Sequence, residues 1–109
     1  MTLSELVVAL KATGYPVAYS HFVVTSLNPM PSPPFINYVE AFTSNQFADN
    51  RVHHKMKNMQ IELYTNKKDL VAEQKLEDEL DRNEIPYDVT ETYIEPEKLY
   101  QRIYETRLI

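Results

Sequence analysis

Residues 52–65 read VHHKMKNMQIELYT, and the fold class turns on how this stretch alternates. In its second half Met59, Ile61 and Leu63 alternate with Asn58, Gln60 and Glu62, the period-two pattern of a strand with one buried face. In its first half the Met59 side continues as Lys57, Lys55 and His53. A side that is apolar at one end and basic at the other predicts a strand that outruns its core. The preceding FINYVEAF, Phe35 to Phe42, supplies its hairpin partner. There Phe35, Asn37, Val39 and Ala41 point one way and Ile36, Tyr38, Glu40 and Phe42 the other, so both sides carry bulk. That pattern fits a strand covered on both faces or lying at an oligomer contact. Between the two, SNQFADN offers turn chemistry through Ser44, Asn45, Asp49 and Asn50.

Upstream, Thr2 and Glu5 have the spacing of a capping box, and Leu3, Leu6, Val7 and Leu10 share one helical face. Gly14 and Pro16 then stop propagation. A helix over 3–13 follows. Pro16 to Val24, PVAYSHFVV, is rich in aromatic and β-branched residues and reads as a strand. The next run, TSLNPMPSPP, holds too many prolines for a helix or a central strand. It reads as a stiff exposed loop. Peptides of this kind also serve as SH3-type ligands, but this run is short and internal.

Downstream, Asn66 with Asp69 approximates a second capping box, and Ala72, Leu76 and Leu80 form a stripe, predicting a helix over 67–83. Glu73, Glu77, Asp78, Glu79 and Asp81 mark a solvated or partner-facing side. Residues 85–94 read as a strand. The closing LYQRIYETRLI satisfies a helical period and a doubly buried strand equally well, with Pro96 at a plausible first helical position. The order is α-β-β-β-α-β-β. It predicts an α+β fold: a mostly antiparallel β-sheet with two helices packed on one face. At 109 residues, with no internal repeat and no dividing linker, a single domain spanning 1–109 is expected.

Composition excludes several classes. Cysteine is absent, which removes disulfides and thiolate metal sites and fits synthesis in a reducing cytosol. No apolar run is long enough to span a bilayer, and neither a signal peptide nor a membrane partner is expected. The net charge of −5 argues against a dedicated nucleic-acid binder. That charge is unevenly divided. Residues 51–68 carry five bases (Arg51, Lys55, Lys57, Lys67, Lys68) against Glu62 alone, whereas 69–109 carry twelve acids against five bases. A chain divided this way can make complementary contacts with copies of itself.

Catalytic chemistry finds no foothold. His53 and His54 are adjacent, and in regular β geometry adjacent side chains cannot share one metal. His21 is isolated. Glu77, Asp78 and Glu79 fall within a predicted helix, without the glycine-bent turn of a calcium loop. The lysines 55, 57, 67 and 68 near Tyr64 lack the arginine–aromatic interleaving of a nucleic-acid site. No nucleophile elbow, Walker A or dinucleotide fingerprint occurs. No enzyme activity, cofactor or metal is expected.

Several stretches together resemble a known family: GYPVAYSHF, PPFINYVEA, FADNRVHHKMKNMQIELYTNKKD, LEDELDRNEIPYD and ETYIEPEKLYQRIYETRLI. Their texture and order resemble the tail-terminator proteins (also labelled tail-completion or minor capsid proteins) of siphophages and prophages of Gram-positive bacteria. The resemblance spans nearly the whole chain. It implies a twisted sheet with helices on one side, and it favours a strand for LYQRIYETRLI. It also implies a homohexameric ring that caps the tail tube, meets the major tail protein on one side and the head–tail connector on the other, and takes no cofactor. Synthesis in the host cytoplasm and residence in the virion tail or neck follow. DNA would pass through the lumen without specific binding, which an acidic subunit favours. Another neck component, a stopper or adaptor, is the neighbouring alternative. A small protein-binding regulatory module, such as an anti-repressor, is the alternative from a different class.

For a ring, each subunit needs two different complementary surfaces. The charge division nominates the basic strand (Arg51, Lys55, Lys57, with Lys67 and Lys68) against the acidic second helix (Glu73, Glu77, Asp78, Asp81) of a neighbour. Exposed ion pairs set register more than affinity. Tyr38, Phe42 and Phe47 are therefore expected to supply the buried contact area.

Overall fold

The computed structural model describes residues 2–48 and 51–108, with side chains described outside 42–56. Two helices and five strands follow one another as α1 (Leu3–Lys11), β1 (Val17–Tyr19), β2 (Phe35–Ala48), β3 (Arg51–Thr65), α2 (Leu70–Arg82), β4 (Asp88–Ile94) and β5 (Leu99–Leu108). The strands form one sheet in the order β1-β2-β3-β5-β4. Every pairing is antiparallel except β1 with β2. The fold is α+β, as the sequence pattern predicts.

Local chemistry explains the helix limits. The Thr2 hydroxyl accepts from the Glu5 N–H, and the Glu5 carboxylate accepts from the Thr2 N–H, a complete capping box. The helix stops at Lys11, short of the expected Thr13, and Gly14 takes a positive φ of 87°. The second helix starts later than its sequence pattern implies. Asp69, and not Asn66, is its cap, accepting from the Ala72 N–H at 3.0 Å. At its end Glu84 adopts a positive φ, and the Ile85 N–H donates to the Leu80 carbonyl at 2.9 Å. That bond closes a Schellman-type turn with Leu80 and Ile85 both buried.

Strand limits depart from expectation in two places. Of 16–24, only Val17–Tyr19 is strand. Ser20 turns away with a φ of 65°, and the chain crosses to β2 through the proline-rich segment without regular structure. A parallel pair needs such a crossover. Conversely, Ser44 and Asn45 make no turn, because β2 continues to Ala48. Asp49 and Asn50 lie outside the described residues. The FINYVEAF alternation is also interrupted, since the pairing with β3 shifts register between Glu40 and Phe42. LYQRIYETRL is a strand, and residues 85–87 precede β4 instead of belonging to it.

Both helices pack on one side of the sheet. Leu6 and Leu10 of α1 and Ala72, Leu76 and Leu80 of α2 meet Ile36, Met59, Ile61, Leu63, Tyr104 and Leu108 from the sheet. Leu6, Leu10, Leu76 and Leu80 are fully buried, each worth roughly 1.5–3 kcal/mol in transfer terms. Among the described residues the sheet's opposite face carries no helix, but at its β2 end Phe22 of the crossover packs edge-on against the buried Phe35, which stacks on Tyr64. Past Lys57, which pairs with Leu108, β5 ends, and residues 51–56 of β3 pair with β2 alone. The hairpin thus runs on as a two-stranded ribbon, as the basic end of the strand predicts. Among the described residues no helix is long and apolar enough to cross a membrane.

Candidate subunit interface

Each strand alternates between the helix-covered face and the open one. The register places Lys57, Met59, Ile61 and Leu63 of β3 in line with Leu108, Thr106, Tyr104 and Arg102 of β5 on the helix face. Glu91 of β4 pairs with Arg102 and joins that face.

Part of the proposed acidic surface is therefore spent inside the subunit. Glu73, only 7% exposed, is buried between α2 and the sheet. It holds Lys68 at 2.8 Å and the Arg102 Nε at 3.4 Å. Lys68 also reaches Glu91 at 3.0 Å. Glu77 accepts from the Tyr104 hydroxyl at 2.7 Å and lies 3.4 Å from Arg102, whose Nε donates to that same hydroxyl. Burial first, then the hydrogen bond to Glu77, pushes the Tyr104 phenol well above its ordinary range. The hydrogen bonds to Glu73 and Glu91 likewise raise the Lys68 ammonium. Such a cluster holds α2 to β4 and β5. Removing one member would strand a partly desolvated partner and so destabilise the subunit.

This geometry gives three groups of the nominated residues contacts within the subunit. Glu73, buried, and Glu77, half-buried, belong to an internal network and so do not form a fully solvated side. Lys68 is paired within its own chain. Tyr38 packs against the core, with the Tyr19 ring edge-on at 5.2 Å, and so stabilises the subunit itself. Asp78, Asp81, Lys57 and Lys67 remain exposed, Asp78 accepting from Gln74 at 2.7 Å. The side chains of Phe42, Phe47, Arg51, Lys55, His53 and His54 lie outside the described residues. The backbone bears on the histidines nonetheless. Gln46 pairs with His54 and Phe47 with Val52, so the register shifts at His53. Among the described residues no group of three or more His, Asp or Glu could hold a metal.

The open face holds what sequence reasoning missed. Cross-strand rows place Asn37 beside Glu62 and Ile103, and Val39 beside Gln60, Glu105 and Asp88. Asp88 and Glu105 are direct partners, a like-charge pairing that disfavours the strand contact. Neither they nor Glu62 has an ion pair among the described residues. Glu62 accepts from Gln101 at 2.8 Å, and burial raises its carboxyl above the ordinary range. Asn37, 6% exposed, keeps a buried side-chain carbonyl with no hydrogen-bond partner. A groove of about 360 Å³ opens nearby, with Asn58, Gln60, Asp88, Glu105 and Arg107 in its lining. The signal for this face was the turn at EPEK, which sets the β4–β5 register and with it the Asp88–Glu105 pairing.

Compared with protein-family models and with curated proteins, the chain matches none.

Proposed function

We propose that the protein is a structural subunit of a bacteriophage or prophage particle, a tail terminator that caps the tail tube as a ring and joins it to the head connector. The observation that carries this reading is the β2–β3 ribbon, which continues past the third strand with both outer edges open. An isolated two-stranded ribbon is marginally stable in water and gains by docking on another surface. The resemblance in sequence order and the layered α+β fold support the same reading. Its partners are further copies of itself, a major tail protein and a head–tail connector, with residence in the virion. The ribbon would serve another neck component equally, and that is the nearest competing role.

The test is electron microscopy of the purified chain, alone and added to polymerising major tail protein. Closed six-fold rings, and tubes bearing one ring at an end, are the expected result. Bare-ended tubes together with particles lacking rotational symmetry would sink the terminator role.

A further inference from the structure

The carboxylates of this chain fall into two populations. On the helix face Glu73, Glu77 and Glu91 are matched by Lys68 and Arg102. Among the described residues of the open face, Glu62, Glu105 and Asp88 stand against Arg107 alone, and no ion pair engages them. The cations are divided in the opposite sense. Lys57 and Lys67 are exposed, and neither is ion-paired among the described residues. Arg51 and Lys55 precede Lys57 along β3.

We propose that the open sheet face around Glu62, Glu105 and Asp88 receives the basic first half of β3, Arg51 to Lys57, from a second copy of this chain. This contact rests on the ring-subunit reading and names its acceptor surface, displacing α2 from that role. Lys57 and Glu105 occupy opposite faces of one sheet, so a subunit cannot satisfy its own pair. Asp88 and Glu105 are exposed, paired directly across β4 and β5, and line the groove with Gln60 and Asn58, while the half-buried Glu62 stands one row along. Exposed carboxylates held side by side suit a cationic hydrogen-bond donor, the chemistry of Lys and Arg. Val39 and Ile103, half-buried on this face, supply apolar area beneath the charges. Donor and acceptor patches differ, so the contact is heterologous and propagates into a closed ring or an open chain.

The experiment compares self-association of the full chain, by sedimentation velocity and native mass spectrometry, for three double reversals. Asp88→Lys with Glu105→Lys should weaken association by about tenfold or more, as should Lys55→Glu with Lys57→Glu. Asp78→Lys with Asp81→Lys, on α2, should leave it unchanged. Mixing the first two variants should restore assembly, because each keeps the surface the other lost. Circular dichroism checks that each variant folds, and the neutral pair Asp88→Asn with Glu105→Gln replaces the first should it fail. Wild-type association that survives the sheet-face change, or that is lost only with the α2 change, overturns the proposal. A wild-type chain that stays monomeric at all concentrations overturns it too. Charge-dependent chains without closed rings would uphold this contact while sinking the terminator role. Rings indifferent to the sheet-face reversal would do the opposite.

Discussion

Glu62 is where the physical chemistry of a single residue is most exposed to measurement. Its carboxyl is raised by partial burial, opposed only in part by the hydrogen bond from Gln101. A raised carboxyl means that the folded state binds more protons than the unfolded chain between the ordinary carboxylate range and the folded value. Stability therefore falls as pH rises through that window, and the full cost persists at neutral pH. Glu62→Gln removes the charge and keeps a carbonyl to accept from Gln101. The variant should melt above the wild type at about pH 7, and the difference should vanish near pH 3, where both states of the carboxyl are protonated. Equal melting temperatures at neutral pH would show that the site is not desolvated. The same substitution should weaken self-association, so stability and assembly move in opposite directions. Little of this was legible from the residues alone. Alternation placed Glu62 on the polar side of its strand, but whether that side meets water depends on which face the helices choose. Glu73 misleads for the related reason. Its neighbours Ala72 and Leu76 mark the buried stripe, while the cation that draws Glu73 inward, Arg102, lies in a strand much later in the chain. A base at the centre of the Tyr100, Arg102, Tyr104 alternation was the available hint.

At the scale of elements, signals carried within a few residues were readable and those set by tertiary contact were not. Thr2 and Glu5 announce α1 because both capping bonds are local. The start of α2 slips from Asn66 to Asp69 because two side chains compete for one role, and the hydrogen bond to Ala72 decides it. The tip of the hairpin was misjudged because Ser44 and Asn45 favour turns, yet pairing with Met56 and Lys55 holds them in β2. The extent of the ribbon was nonetheless foreseen, from the change of Met59–Leu63 into Lys57–His53 along one side. Its separation from the core yields a prediction. Excising residues 45–55 and closing the ribbon with an Asn-Gly turn removes pairing that no third strand or helix supports. Chemical denaturation should show a loss below about 1 kcal/mol, since the helix-face core is untouched. Assembly should be abolished. A shortened chain that fails to fold would mean that the ribbon belongs to the subunit's own core.

For the whole molecule, the division of labour between the two sheet faces sets how stability should depend on concentration. One face buries the leucines of both helices and closes its charges internally, so the subunit has a core of its own. The other leaves Asp88, Glu105 and Glu62 without an ion pair among the described residues. Folding and association are then separable, coupled only by mass action. Association that stabilises the native state makes the melting temperature rise with protein concentration, and salt should uncouple the two because it screens exposed charges. Scanning calorimetry at about 0.05 M salt should show a midpoint that climbs over a roughly hundredfold range of concentration. At about 0.5 M salt, where the Debye length shrinks to roughly half its physiological value, the midpoint should become independent of concentration and settle at that of the isolated subunit. A concentration dependence that persists or grows at high salt would assign the contact to apolar burial, shifting attention to exposed side chains such as Val23, Leu27 and Met30 in the proline-rich crossover. The two outcomes differ in sign with salt, so one pair of titrations distinguishes an electrostatic interface from a hydrophobic one.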